Sequence, residues 1–367
     1  MASCNKKRES SLDLSRLLDY NTGSNGEHRM IEEALTYNDV LITPQFSDIE
    51  SRKEVSLSSK LGFIECELPI IASPMDTVSE EQMATAMDSK GALAILHRYN
   101  SIEEQASMVT AVRKESSLVG AAVGTSGDYL ERAYACYEAG ADVICVDVAH
   151  GHHILMKAAL RQLRQMVGDD VHIMAGNIAT LGGYNDLCDW GADSVRCNIG
   201  GGSICSTRIQ TGHGVPGLQT IFDCAKSKNA GSIPIIADGG IRNSGDIVKA
   251  LAAGADFVML GSLLAGTTES PGDIMIGRDG NKHKAYRGMA SKDAQMSWRG
   301  KTASLEGIAT TIPYKGSVIN ILDDLERGIR SGLSYSGART IDELQAKAHF
   351  IRQTASGQTE SGTHILR

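Results

Sequence analysis

Cys205 lies in the glycine-dense run NIGGGSICSTRIQTGHG (198–214), with a hydroxyl two residues on at Thr207 and no second cysteine at metal-ligand spacing. Glycines let the backbone turn sharply and approach a ligand closely. A thiol in such a loop is a nucleophile when it is exposed and its thiolate is favoured. The competing reading is a buried structural cysteine beside a tight turn, because free cysteines are mostly core residues.

Two further runs carry chemistry, IPIIADGGI (233–241) and FVMLGS (257–262). Gly239, Gly240, Gly261 and Ser262 offer backbone N–H groups, and Ser262 adds a hydroxyl, in the manner of a phosphate cradle. Ser203 is available to the same anion. Asp238 would be repelled by a phosphate, so its carboxylate suits a ribose diol. Glycines needed only for turns, and Asp238 as a helix cap, are the bland alternatives.

The elements that must position these groups form a rhythm from about residue 36. Eight short apolar runs recur: 68–73, 92–97, 119–124, 142–148, 171–176, 194–200, 233–240 and 257–262. Unbroken apolar runs of this length suit strands buried on both faces, as in a parallel sheet. Amphipathic segments lie between them, several opening on Ser, Thr or Asp and closing on Gly, the residues that cap helices. Eight strand–helix repeats predict an α/β fold, a closed (β/α)8 TIM barrel, with a doubly wound open sheet as the alternative. The polar groups fall just after the strands, at Ser73, His97, Asp147, Asn177, Gly200–Cys205, Asp238 and Gly261. In a barrel those ends open onto one face, where active sites are built.

Bulk properties narrow the class. The chain has 367 residues, 42% hydrophobic and 22% charged, ordinary for a globular protein. Its formal net charge of −8 speaks against nucleic acid as a partner. No run of 18 apolar residues marks a membrane span, and the N-terminus has no apolar signal core. The eight cysteines form no C-x-x-C pairs, which predicts reduced thiols and a cytoplasmic location. Residues 1–30 read as a polar arm, and 31–367 as one catalytic domain with a C-terminal tail.

The runs IASPMDTVSEEQMA, HRYNSIEEQ, DVAHGH, AGNIAT, GGGSICSTR, IADGGIRNSGDIVKALAAGAD, VMLGSLLAGTTESPG and YRGM together resemble the IMP dehydrogenase/GMP reductase family over roughly residues 36–365. The resemblance implies a barrel, usually a homotetramer, doing hydride chemistry at C2 of a purine nucleotide. It implies that Cys205 attacks C2 and that Thr207 helps move protons. Ser73 and Met75 match nucleotide contacts, and Ser203, Gly240, Gly261 and Ser262 match the phosphate cradle. Asp238 matches the ribose contact, and Tyr286, Gly288 and Met289 match the phosphate and base edge. Asp147, His150, Gly151 and Asn177 match the nicotinamide side, with His152 beside them. The carbonyls of Gly200, Gly202 and Cys205 match a potassium loop in the dehydrogenases, completed there by residues resembling Glu360, Ser361 and His364 of a neighbouring subunit.

The direction of reaction turns on departures from the family pattern. VRKES (112–116) leads straight on to LVGAAVG, with no inserted CBS pair. The flap at 288–307, GMASKDAQMSWRGKTASLEG, is short and lacks the Arg-Tyr pair whose arginine activates water in the dehydrogenases. General-base help is worth about 10²–10⁴-fold, so its loss favours the reductase direction. The reductases carry a glutamate after Gly288-Met289 that helps protonate ammonia; here Lys292 stands in its place, and Asp293 is the expected substitute. Glu306 matches a base-reading residue of the dehydrogenase branch. The expected activity is NADPH-dependent reduction of GMP to IMP and ammonia. IMP dehydrogenase with NAD is the alternative, and a non-catalytic nucleotide-binding barrel the second alternative.

Overall fold

The computed structural model describes residues 31–227, 229–302 and 305–363. The arm expected at 1–30 lies outside them. The chain divides into two units, 1–34 and 35–367, and the fold below is that of the second.

The eight apolar runs are eight parallel strands: β1 Ile70–Ala72, β2 Leu93–Leu96, β3 Gly120–Val123, β4 Val143–Asp147, β5 His172–Ile178, β6 Ser194–Cys197, β7 Ile235–Asp238 and β8 Phe257–Leu260. Each pairs with the next, and β8 pairs with β1, which closes the barrel. The sheet is fully parallel because each strand is followed by a helix that returns the chain: α1 Glu81–Asp88, α2 Ile102–Glu115, α3 Tyr129–Glu138, α4 Ile154–Val167, α5 Leu181–Asp189, α6 Gly217–Cys224, α7 Ser244–Ala252 and α8 Val318–Tyr335. Side-chain caps start several of them. Ser101 and Glu104 form a capping box on α2, and Asn243 accepts from the Asp246 N–H on α7.

Closure explains why the runs do not alternate in polarity. Ile71, Leu93, Ile95, Val143, Cys145, Met174, Phe257 and Met259 point inward, while their strand neighbours pack against the helices. Both faces are dry. A hairpin, Ser59–Leu61 with Ile64–Cys66, sends Leu61, Ile64 and Cys66 into the inner cluster and plugs the barrel. Burial pushes the thiols of Cys66 and Cys145 up to about 12, so both behave as apolar filler.

The connection from β8 to α8 is the long one. It carries an antiparallel sheet, Met275–Ile276, Lys282–Arg287 and Ala309–Pro313, and a helix, Lys292–Arg299. The expected flap is this helix with its flanking turns. Ser291 caps its start and Gly300 ends it at φ 63°. No helix among the described residues is long and apolar enough to cross a membrane.

Candidate active site

A cavity of about 460 Å³ opens at the C-terminal ends of the strands. That volume lies within the range of small-molecule sites. Its wall includes most of the residues that the sequence points to for chemistry or binding. The exceptions include Asp293, His150, Gly151 and the tail residues.

Cys205 follows β6 in the glycine loop, and it is exposed. Its thiol donates to Thr207 Oγ1 at 3.2 Å, and Thr207 Oγ1 donates to Glu306 Oε2 at 2.7 Å. Backbone pairing sets that reach. Ser206 N–H bonds to the Glu306 carbonyl at 2.9 Å, and Ile308 N–H bonds to the Ile204 carbonyl at 3.0 Å. The flap strand therefore straddles Cys205 and delivers Glu306 to Thr207. The result is a chain of donors running from thiol to hydroxyl to carboxylate, which can carry a proton in either direction.

The carboxylate expected beside Thr207, Asp293, lies elsewhere. Asp293 is exposed in the first turn of helix Lys292–Arg299, and no hydrogen bond or ion pair joins it to Thr207. The carboxylate at Thr207 is Glu306, fourteen positions after Lys292 in the chain, and not the residue next to it. Sequence reading had assigned Glu306 to the base.

Three hydroxyls also line the cavity. Ser203 Oγ lies 3.2 Å from Tyr286 Oη, and Ser262 also bonds to Tyr286. Burial raises the Tyr286 hydroxyl above its usual pKa, so it stays a neutral donor. Gly261 packs closely, since a Cβ would stand 3.2 Å from Tyr286 Oη and 3.3 Å from Met75 Sδ and would crowd both. Gly239 and Gly240 take φ of 81° and 76° in succession, a turn favouring glycine that lays their backbone against Gly201 and Gly202. The Gly239 N–H is taken by the Met259 carbonyl at 3.2 Å, which leaves the hydroxyls and the Gly240 turn to suit a phosphoryl group.

A buried ion network forms the third wall. Arg196, at the centre of β6, donates from Nη1 to Asp147 Oδ1 at 2.6 Å and from Nη2 to Asp238 Oδ2 at 2.8 Å. Burial opposes its charge, but Asp238 and Asp147 outweigh it, and its pKa rises well above the usual value. Asn177 Nδ2 donates to the same Asp238 oxygen at 2.7 Å. Arg98 joins from β2, with Nη2 on the Asp147 carbonyl at 3.2 Å. Asn177 Oδ1, Arg98 Nε and Arg196 Nε are buried without hydrogen-bond partners, Arg98 Nε lying 3.9 Å from Asp147 Oδ2. Sequence reading places Arg98 at the mouth beside His97 but gives no role to Arg196 or Asn198. The Asn198 side chain bonds to the Asp238 carbonyl at 2.9 Å and accepts from Arg208, bracing the glycine loop from beneath.

The remaining expected residues fall at the edge or beyond it. Gly151 is buried, with its N–H on the Asn177 carbonyl at 2.7 Å, where a Cβ would meet the Gly176 backbone at 3.0 Å. His150 is exposed, its ring 6.5 Å from that of His152, which bonds to Asp186 at 2.7 Å. Met289 accepts from the Asp76 N–H through sulfur, and its carbonyl accepts from the Tyr99 hydroxyl at 2.7 Å. Glu360 ends the helix Ala355–Glu360, and the Ser361 hydroxyl bonds to Gln353 and the Gly357 carbonyl. Neither bonds to the Gly200–Cys205 loop, whose Gly202 carbonyl accepts the Cys205 N–H at 3.1 Å. His364 lies outside the described residues. Among those residues, no group of three or more His, Cys, Asp or Glu could hold a metal ion.

Comparison with known proteins matches residues 34–364 to the family described as IMP dehydrogenase / GMP reductase domain. An inosine-5'-monophosphate dehydrogenase of Nitrosopumilus maritimus is 34% identical over 91% of this chain and 98% of its own length. A GMP reductase of Leishmania major is 33% identical over 92% of this chain and 98% of its own. Those alignments run over 470 and 481 positions against a chain of 367 residues, so both relatives hold insertions that this chain lacks. A solved structure of GMP reductase from Trypanosoma brucei, a cysteine-to-alanine variant in complex with guanosine 5'-monophosphate, superposes with a TM-score of 0.86. It is 33% identical, and the match covers 91% of this chain and 98% of that one.

Proposed function

This chain belongs to the IMP dehydrogenase/GMP reductase family of oxidoreductases, and we propose that it is a GMP reductase, converting GMP, NADPH and two protons to IMP, NADP and ammonium. The observation that carries this reading is the Cys205–Thr207–Glu306 chain. In the proposed reaction the Cys205 thiol gives its proton through Thr207 to Glu306, and the thiolate adds to C2 of the base. The proton returns along the same path to the 2-amino group, which leaves as ammonia while C2 stays bound to sulfur. The nicotinamide cofactor supplies hydride to C2 when bound, and release of sulfur then gives IMP.

The residues present fit such a cofactor. Asn177 Oδ1 is buried on the cavity wall without a hydrogen-bond partner, so it is available to an amide or a sugar hydroxyl. Asp147 would hold that side and Asp238 the nucleotide ribose. The phosphate would lie between Ser203, Ser262 and Tyr286.

The dehydrogenase direction, IMP and NAD to XMP, needs a base that activates water after hydride leaves. No Arg-Tyr pair occurs in 288–307 to supply one. The homotetramer and the potassium requirement belong to the same proposal, and no step is routed through the cation.

Absorbance of the reduced cofactor decides between the directions. GMP with NADPH should consume the cofactor and release ammonium, and IMP with NAD should be far slower. XMP formed at a comparable rate would reverse the assignment. No reaction in either direction would leave a nucleotide-binding barrel.

A further inference from the structure

The side chains lining the cavity have a charge problem. Among the described residues they include three carboxylates, Asp147, Asp238 and Glu306, and two cations, Arg98 and Arg196. Arg196 is committed to Asp147 and Asp238, and Arg98 is held against Asp147. Arg287, beside Tyr286, is paired with Asp76 at 2.7 Å. A nucleotide phosphate near neutral pH brings a charge of about −1.5 to −2. The Ser203, Ser262 and Tyr286 hydroxyls can donate to it but cannot neutralise it.

One cation stands directly behind that corner. Lys315, just after the sheet strand Ala309–Pro313, sends its ammonium to the carbonyls of Ser262 and Leu263. Its own N–H is fixed on the Gly266 carbonyl at 2.9 Å. The segment it grips is a tight turn, with Leu264 and Ala265 N–H groups both on the Gly261 carbonyl. The turn's leading edge, Gly261 and Ser262, faces the cavity, and its carbonyls at 262 and 263 point back to Lys315. The Leu263 carbonyl gripped by Lys315 belongs to the peptide whose N–H, on Leu264, bonds to the Gly261 carbonyl, and the peptide of that carbonyl carries the Ser262 N–H. A cation at the carbonyl end of such a hydrogen-bonded chain of peptides favours an anion at its N–H end, as at a helix N-terminus.

We propose that Lys315 is a positioning residue and the counter-charge for the nucleotide 5'-phosphate, acting through the Gly261–Leu264 turn without touching the ligand. This inference rests on reading Ser203, Ser262 and Tyr286 as a phosphate cradle. It predicts an effect confined to ligands that carry the phosphate.

The test measures binding of GMP and of guanosine by calorimetry to the intact wild-type protein, Lys315→Met and Lys315→Arg. Lys315→Met should weaken GMP about tenfold, within the range of a lost charge-assisted contact, and leave guanosine unchanged. Its kcat should stay close to the wild-type value while KM for GMP rises. Lys315→Arg, which keeps the charge, should restore most of the GMP affinity. Equal losses for GMP and guanosine would make Lys315 merely structural and overturn the inference, and so would an unchanged GMP affinity in Lys315→Met. Wild-type protein that binds guanosine as tightly as GMP would instead overturn the cradle reading itself.

Discussion

Thr207 Oγ1 donates to Glu306 Oε2 at 2.7 Å while accepting from the Cys205 thiol at 3.2 Å, so one hydroxyl joins the nucleophile to a carboxylate 101 positions along the chain. In the proposed reaction Glu306 stores the thiol proton and returns it to ammonia. Glu306→Gln keeps the shape and removes the proton store. The expected outcome is a fall in kcat of about 10²–10⁴-fold with KM for GMP within a few-fold. Steady-state rates over a pH series check it, and an unchanged kcat would take Glu306 out of the reaction.

Asp293 is the control for that result. It is exposed in the first turn of its helix, where a carboxylate contributes about 0.3–1 kcal/mol through the helix dipole. Asp293→Asn should therefore change kcat by less than about threefold. A loss comparable to that of Glu306→Gln would restore Asp293 to the proton path.

The flap helix is docked by one aromatic residue. Trp298 stacks on Tyr99 with centroids 6.0 Å apart and planes at 20°, and the Arg132 guanidinium lies 5.8 Å from the same ring. The Tyr99 hydroxyl holds the Met289 carbonyl at the other end of the flap. A stacked pair and a cation–π contact contribute about 0.5–1.5 and 0.5–1 kcal/mol. Trp298→Leu should release the helix and raise KM for GMP about tenfold, with cleavage of the flap by added protease accelerated in parallel. Unaltered KM and protease resistance would show that the backbone pairing at 204–208 and 306–308 is sufficient to hold the flap.

Much of this arrangement is legible in the sequence, and the reason is physical. Strands such as Val143–Asp147 are dry on both faces, so their apolar runs mark them and the first polar residue marks the mouth of the barrel. Glycines beside Ser203 and Ser262 mark close backbone approach. The partner of Thr207 is not legible, because it depends on a strand pairing between 206 and 306 that no local pattern encodes. Asp293 looked correct by spacing alone. Arg196 had a signal that went unread: a charged residue in the middle of SVRCNIG, a strand otherwise buried, must have a partner.

Arg196 is such a buried charge with two partners. It holds Asp147 and Asp238 side by side in fixed positions on one wall of the cavity, with its side chain 6% exposed. Removing one partner from a buried ion pair costs about 3–5 kcal/mol, because the remaining charge is left uncompensated. Arg196→Met should lower stability by that order and raise KM for GMP and for the cofactor together. Arg196→Lys should recover part of the stability but not both KM values, since an ammonium lacks the fork that reaches two carboxylates. Denaturant titration with the two KM values tests it; a stability loss with both KM values intact would confine Arg196 to the scaffold.

The last prediction concerns the opposite face of the barrel. Asp256 precedes β8 and accepts from the Ile235 N–H at 2.7 Å; burial pushes its carboxyl up to about 6 from 3.8, against that bond. A raised folded-state pKa means that the folded protein prefers the protonated form. Stability from this group is therefore fully present below about pH 3.8 and is lost as pH rises through about 6. The loss amounts to at most about 3 kcal/mol. Asp256→Asn keeps an acceptor for Ile235 and removes the buried charge. The difference in unfolding free energy between variant and wild type should favour the variant by up to that amount at pH 7.5 and shrink towards zero near pH 4. Activity should be unchanged at pH 7.5, since Asp256 lies at the far end of β8 from Cys205. Denaturant unfolding at the two pH values decides it, and a pH-independent difference would show that Asp256 titrates normally.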